Sequence, residues 1–360
     1  DGVRWSTYQA AAATLVEFVV SDSQRLDAVF GPGPRDESGA SRFIEEFGLR
    51  AHRRPLSSSE RSAYLEVYRD GVALDSANPF ESGISLVLEA FLQSPYFLYR
   101  LELAGEEVNG RLELDAYALA SRLSYLLWNT MPDDTLLERA GGGLGGDALL
   151  TEFDRLAADP RTQSNLQRFY STVFYDDGLS SIRPADDFYG SGPELLQSAR
   201  AERARFWEHA IENDFGLAEL LTSTVAFADS TLAEIYALEG DFGSELQQVE
   251  LDSTQRRGIF MQAGFLAAQA TPRNPDPIHR GAFLSQRIAC NRLILPNDDL
   301  PPVPADATGT NRQIIEAHTE ATGTNCVSCH RFYINAFGFP LENFDAVGRY
   351  RELDGDAPVD

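Results

Sequence analysis

Residues 115–128 read DAYALASRLSYLLW, and this stretch decides the fold class. Asp115 stands where a helix N-cap belongs, since a short carboxylate can accept from amides that a first turn leaves unpaired. Behind it Tyr117, Leu119, Leu123, Leu126, Leu127 and Trp128 form a strongly apolar helical pattern. Met131-Pro132-Asp133-Asp134 then turns the chain, and the paired aspartates suit the first turn of a following helix. Leu156, Leu166, Phe169 and Tyr170 continue the helical pattern around Asp159-Pro160. A long helix is expected from Ala201 to Leu221, carrying Phe206, Trp207, Ala210, Ile211 and Leu217 and interrupted near Phe215-Gly216. The glycine-rich run 141–146 lacks a preceding strand and reads as a surface loop, not as a phosphate cradle.

Upstream the pattern is again helical. Tyr8, Ala11, Ala12, Leu15, Phe18 and Val19 recur at three- and four-residue spacing and make an apolar stripe. Gly31, Gly33 and Gly39, with Pro32 and Pro34, mark a loop before a helix holding Phe43, Ile44 and Phe47. Ser57 and Glu60 predict a capping box for a helix that buries Tyr64, Leu65 and Tyr68. Ile84, Leu88, Phe91 and Leu92 belong to a fourth helix, which Ser94-Pro95 interrupts. Downstream of residue 245 the character changes. One helix is expected to hold Ile259, Phe260, Phe265 and Leu266, and another to start after His279-Arg280-Gly281 and use Phe283, Leu284 and Ile288. Pro296, Pro301, Pro302 and Pro304 favour an extended path. The expectation is a mainly α protein: a multi-helical scaffold over 1–107 and 108–245, an irregular C-terminal module over 246–360, and little β structure.

Charge narrows the function. There are 55 acidic residues against 30 basic ones, a formal charge of -25, and every basic residue is arginine. Such a surface repels phosphate backbones, which argues against nucleic acid as a partner. Without lysine there is no P-loop lysine and no Schiff-base lysine. No apolar stretch reaches the roughly 18 residues a membrane-spanning helix needs. The acidic surface fits a periplasmic, cell-surface or secreted location. The first residues show neither Met nor a signal sequence, and the chain stops at RELDGDAPVD just after an expected turn. A larger precursor on both sides is expected.

Cys326-Val327-Ser328-Cys329-His330 is a CxxCH motif. Two thiols one helical turn apart can add to the two vinyl groups of haem, while the adjacent histidine coordinates iron from one face. Covalent attachment of this kind is made outside the cytoplasm. The candidate cofactor is therefore haem c, with Cys326 and Cys329 as its anchors and His330 as an iron ligand. Phe332, Tyr333, Phe337, Phe339, Phe344 and Tyr350 supply aromatic surface for a porphyrin or, equally, an ordinary small core.

The sixth ligand is open at this level. His318, eight residues before Cys326, is the preferred candidate. His279 is a second, although it can instead cap or hydrogen-bond a helix. Met131 and Met261 are the only thioethers, and both precede the motif, so both read as packing residues. Two strong ligands would favour electron transfer, whereas an open position would permit peroxidase-like chemistry. Zinc competes with haem for the same residues, through Cys290, Cys326 and Cys329 plus His318 or His330. A disulfide, within CxxC or from Cys290 to a motif cysteine, is a further alternative and would leave a structural or interaction protein. Arg280, Arg287, Arg349 and Arg351 can meet haem propionates or offset nearby carboxylates. Glu342 and Asp345 read as local acceptors. No GxSxG or HExxH hydrolase signature occurs.

Several phrases together resemble a family of large secreted, cytochrome-c-like proteins abundant in planctomycetes and myxobacteria. They are PLSSSE at 55–60, FLQSPYFLYRLEL at 91–103, LASRLSYLLWNTMPDDTLL at 119–137, HRGAFLSQRIAC at 279–290 and CVSCHRFYINAFGFPLENFDAVGRYRELDG at 326–355. The family is described as consecutive DUF1595, DUF1592 and DUF1588 domains, usually flanked by one domain more at each end. The resemblance implies that Cys326, Cys329 and His330 are its CxxCH, that Cys290 is its cysteine before a proline-rich stretch, and that His318 is its histidine before the motif. PNDDLPPVP replaces the family's proline run, and INAFGF replaces its usual IDPLGF. The implied partners are a redox protein or flanking domains of the precursor; the resemblance implies no particular reaction.

Overall fold

The computed structural model describes residues 2–102, 104–293, 307–321 and 324–359. The proline-rich run from Pro296 to Pro304 lies outside the described residues. The chain forms two compact units, residues 1–165 and 166–360, and is mainly helical in both.

The first unit starts with α1 (Gly2–Val20), α2 (Ser23–Phe30), α3 (Glu37–His52), α4 (Ser58–Leu74), α5 (Pro79–Gln93) and α6 (Pro95–Leu98). The local signals act as expected. Ser57 accepts from the Glu60 amide while the Glu60 carboxylate accepts from the Ser57 amide, completing the box at the start of α4. Ser94 caps α6 with Pro95 in the first position. Leu26, Phe30, Phe43, Ile44, Tyr68, Ile84, Val87, Leu88 and Phe91 make one core, and Tyr64 stacks on Phe91 at 3.8 Å. Helices α4 and α5 press together at two glycines. A Cβ on Gly71 would stand 2.8 Å from the Gly83 Cα, so any side chain there would force the helices apart. Gly39 lies inside α3, not in the preceding loop.

The apolar stripe on α1 is buried only in part. Ala12 and Val16 are buried, whereas Tyr8, Leu15 and Phe18 are 40%, 56% and 60% exposed. Helix α1 packs on α5 and α2, and its small Ala12 face allows that approach where the larger aromatic face does not.

A hairpin of β1 (Ala104–Val108) and β2 (Arg111–Leu114) follows, turning at Asn109 and Gly110, both with positive φ. Asn-Gly is the strongest short hairpin signal, because such a turn needs left-handed residues in both central places. Asp115 then caps α7 (Ala116–Leu127), accepting from the Ala118 amide at 2.7 Å. Asp133 caps α8 (Asp134–Gly141), and α9 (Asp147–Ala157) comes after the glycine loop. Ala120, Leu123, Leu127, Trp128, Leu136 and Leu156 form a second core, in which the Trp128 indole N–H donates to the Leu156 carbonyl at 3.0 Å.

The boundary between the units falls inside α10 (Pro160–Val173). In the second unit α11 (Gly192–Glu212) starts earlier than expected and stops before Gly216, where α12 (Leu217–Thr222) begins. β3 (Val225–Ala228), α13 (Ser230–Ile235) and β4 (Gln247–Glu250) follow, with β3 and β4 antiparallel. Ile259–Met261 forms a separate 3₁₀ turn ahead of α14 (Ala263–Ala268), so the single helix expected for Ile259 through Leu266 is two pieces. Asp276 caps α15 (Pro277–Phe283), placing His279-Arg280-Gly281 inside that helix, not ahead of it. Leu284–Ile288 continues as a π-helical turn. The remaining elements are α16 (Asn311–Thr319), α17 (Cys326–Cys329), a π-helical turn at His330–Ile334, α18 (Asn335–Gly338), and the short pair β5 (Leu353–Asp354) and β6 (Ala357–Pro358).

The core of this unit holds charge. Glu202, Arg203 and Arg256 are buried side by side near Tyr236, whose hydroxyl donates to the Glu202 carboxylate at 2.8 Å. Burial pushes the Glu202 carboxyl up to about 7, against the pull of that hydrogen bond and of both arginines.

Candidate functional site

Four residues make the shortest full helical turn at the motif. Cys326 and Cys329 begin and end α17, and His330 follows as its C-cap with an amide bonded to the Cys326 and Val327 carbonyls. The three-residue offset puts both sulfurs on one helical face. Both thiols are free and half-buried. His330 is half-buried too, and burial holds its imidazole below the ordinary histidine value.

The ring of His330 is held from behind. Its Nδ1 lies 3.2 Å from the Asn335 side-chain oxygen. Asn335 is 1% exposed, and its NH2 group donates to Thr319 Oγ1 and to Glu320 Oε1, both at 2.9 Å. No side chain or backbone group among the described residues bonds Nε2 of His330. The next helices fix this arrangement to α15. A Cβ on Gly281 would stand 2.0 Å from the Ile334 carbonyl oxygen, and one on Gly338 would stand 2.0 Å from that of Pro277. The backbone before and after Asn335 therefore lies directly against α15.

Arg280 secures the same region from inside. It is fully buried, and its guanidinium donates to the carbonyls of Leu266, Leu341 and Phe344 at 3.0 Å and of Asp345 at 2.8 Å. Both terminal nitrogens are spent on these carbonyls, and the buried Nε is left without a partner. Arg351 is engaged with Asp354 and Glu342, and Arg349 with Glu234. Arg287 is exposed, stacked over Tyr175 at 4.4 Å. Glu342 and Asp345 are acceptors as expected: Glu342 takes the Asn311 NH2 group at 2.8 Å, and Asp345 takes the Val347 and Arg349 amides.

The candidate ligands separate clearly. His318 sits on α16, half-buried, close enough for its charge to press the His330 pKa down. His279 is tied to Asp276, 2.6 Å from its carboxylate, which raises the imidazole pKa. Met261 accepts the Arg257 amide on its sulfur at 3.2 Å. Met131 belongs to the first compact unit. Cys290 is exposed, with a left-handed backbone at φ 57°. The structure forms no disulfide among the three cysteines, and among the described residues no cluster of three or more His, Cys, Asp or Glu side chains is placed to hold a metal ion. The zinc site drawn from Cys290, the motif cysteines and a histidine is not assembled. The aromatic residues divide: Phe344 and Tyr350 pack edge to face in the core, while Phe332 and Tyr333 are 66% and 44% exposed beside the motif.

Asn335 and Glu320 are the site residues that motif reading passed over. The signal was a lone amide in the apolar run FYINAF, because a buried polar side chain needs partners. A second polar row, Ser94–His52–Glu60 in the first unit, is chemically spent. Ser94 Oγ is 3.3 Å from His52 Nε2, but Glu60 is 3.9 Å from Nδ1 and is paired to Arg54 through both oxygens.

Three family models match the chain in succession. Residues 39–102 match DUF1595 (PSD5), 114–238 match DUF1592 (PSD4) and 256–354 match DUF1588 (PSCyt3), each described as a protein of unknown function. This chain is a DUF1595–DUF1592–DUF1588 protein. The PSCyt3 match places the third segment, with Arg280, Asn335 and the whole CxxCH motif, in a cytochrome-c-like family. No curated protein and no solved structure matches the chain. In this DUF1595–DUF1592–DUF1588 protein the boundary between compact units, after Asn165, falls within the DUF1592 match. Two free thiols on one turn and an imidazole whose Nε2 has no hydrogen-bond partner among the described residues are donors that could hold a haem c.

Proposed function

We propose that the chain is an extracytoplasmic c-type haem protein, working in electron transfer or haem redox chemistry. The observation that carries this reading is the pair of unpaired thiols on a single helical turn, with the neighbouring imidazole anchored through Nδ1. Cys326 and Cys329 would hold the porphyrin by thioethers, and His330 would present Nε2 to the iron. Bound haem supplies a one-electron iron couple. His318 is the proposed second ligand, since it lies in the last turn of α16, the helix that precedes the motif, and its charge is felt at His330. The exposed faces of Phe332 and Tyr333 give apolar cover beside the motif. The location follows from thioether assembly, which places the protein in the periplasm, at the cell surface or outside the cell. A redox protein or other domains of the same precursor are the proposed partners.

The test is expression of the full chain with a c-type maturation system. The expected result is a Soret band that survives acid–acetone extraction, with the mass of one haem added to the chain, lost in Cys326→Ser/Cys329→Ser. A colourless chain of unmodified mass under those conditions overturns the proposal. Carbon monoxide then separates the two chemistries: an unchanged ferrous spectrum means two strong ligands and electron transfer, a shifted one a displaceable sixth position.

A further inference from the structure

Asn335 can be oriented in only one way. Thr319 Oγ1 donates its hydrogen to the Ile315 carbonyl at 2.7 Å, so towards Asn335 it can only accept. Glu320 Oε1, as a carboxylate oxygen, also only accepts. Both lie 2.9 Å from the same side-chain nitrogen of Asn335, which must therefore be the NH2 group. The opposite assignment would bury an amide oxygen against a carboxylate. The side-chain oxygen is thereby turned to His330, 3.2 Å from Nδ1. An amide oxygen has no hydrogen to give, so Nδ1 must carry the proton and Nε2 the lone pair.

We infer that Asn335 is a positioning residue that fixes His330 as an Nε2 ligand, and that Glu320 tunes the metal through it, by a Glu320–Asn335–His330 relay. This rests on the haem reading for its metal, although the tautomer it sets exists without one. The carboxylate polarises the Asn335 amide, whose oxygen becomes a stronger acceptor and draws the Nδ1 proton. Electron density rises at Nε2, which favours the oxidised metal. Glu320 lies 3.8 Å from the Arg331 guanidinium, which is 63% exposed and so only a weak competitor for its charge.

Two measurements on the full chain test this. In the haem-free protein with ¹⁵N-labelled histidine, His330 is expected as the Nδ1–H tautomer at neutral pH, and Asn335→Ala is expected to lose that preference. In the haem-loaded protein, Glu320→Gln keeps an acceptor for the Asn335 amide but removes the charge. Its reduction potential is expected to move positive while haem content and thermal stability stay unchanged. Asn335→Ala should move it the same way. An Nε2–H tautomer in the wild type, or a Glu320→Gln potential equal to the wild type, overturns the relay. A chain that never takes haem ends the haem reading instead, and the tautomer measurement still decides the role of Asn335.

Discussion

Helices α4 and α5 run for 17 and 15 residues, whereas α17 and α18 have four residues each. The long pair meets through apolar side chains and two facing glycines, and each helix has its own start signal, a capping box at Ser57 and Pro79 in the first turn. The short turns have no side-chain caps, and isolated helices below ~12–15 residues are marginal in water. What holds them is distant in sequence: α15, whose Pro277 and Gly281 lie against Gly338 and Ile334, and the bonds of Asn335 to Thr319 and Glu320, while Arg280 pins the chain just beyond α18 through the carbonyls of Leu341, Phe344 and Asp345. Where a segment must present thiols and an imidazole with a free nitrogen, the apolar face that would stabilise a longer helix is missing. Buried hydrogen bonds take its place, and they fix orientation more tightly than apolar contact does.

The sharpest way to break this comparison is Arg280→Met. The aliphatic replacement keeps most of the volume but takes the guanidinium from four carbonyls; those of Leu341 and Asp345 keep the Phe344 and Gly348 amides, while those of Leu266 and Phe344 lose their side-chain donor, at about 1–3 kcal/mol each. A loss of about 2–6 kcal/mol is expected, with hydrogen exchange rising through 263–288 and 326–347 and unchanged in α4 and α5. Exchange spreading equally through both regions would show that polar stitching and apolar packing are not separate supports.

Acid probes the long-helix region next. His52 ends α3 with its side chain buried against Tyr64 and Phe91, and burial lowers its pKa from 6.5 to about 4. Above pH 6.5 it is neutral in both folded and unfolded chains, and its contribution is fully present. Between 6.5 and 4 the unfolded chain binds the proton and the folded one does not, so stability falls as pH falls. The loss approaches on the order of 3 kcal/mol below pH 4. In His52→Phe, pH titration of the unfolding of 1–165 should lose most of its slope in that window; an unchanged slope would remove His52 as its source.

Ser57→Ala is the mildest probe. It removes one half of the capping box and should cost about 1 kcal/mol, read as a small shift in the denaturation midpoint. α17 has no side-chain cap to remove in the same way.

The contrast also explains what was legible. Asp115, Asp133, Ser57 and Ser94-Pro95 act on their own neighbours within three residues, so helix starts could be read directly. The α1 stripe did not say which of its residues are buried, because its pattern contains two apolar faces, and the approach of α5 and α2 selects the one with Ala12 and Val16. The hairpin at 104–114 carried its Asn109-Gly110 signal but too few residues for a strand pattern. Among the proposed ligands, the spacing of Cys326, Cys329 and His330 is local and survives into one turn. The role of Arg280 was not legible, because its terminal nitrogens bind carbonyls that no local pattern connects to it.

By itself the sequence determined the helical class, the helix starts capped by Asp115 and Ser57, the acidic and lysine-free surface, and a CxxCH turn that puts two sulfurs on one side. These rest on interactions within about one helical turn, where spacing is geometry. Which face of α1 is buried, which arginine lies in the core, and which nitrogen of His330 is left open were decided only in the tertiary structure. Each depends on a group brought in from elsewhere along the chain, and the direction of a buried hydrogen bond is fixed by the partners that surround it.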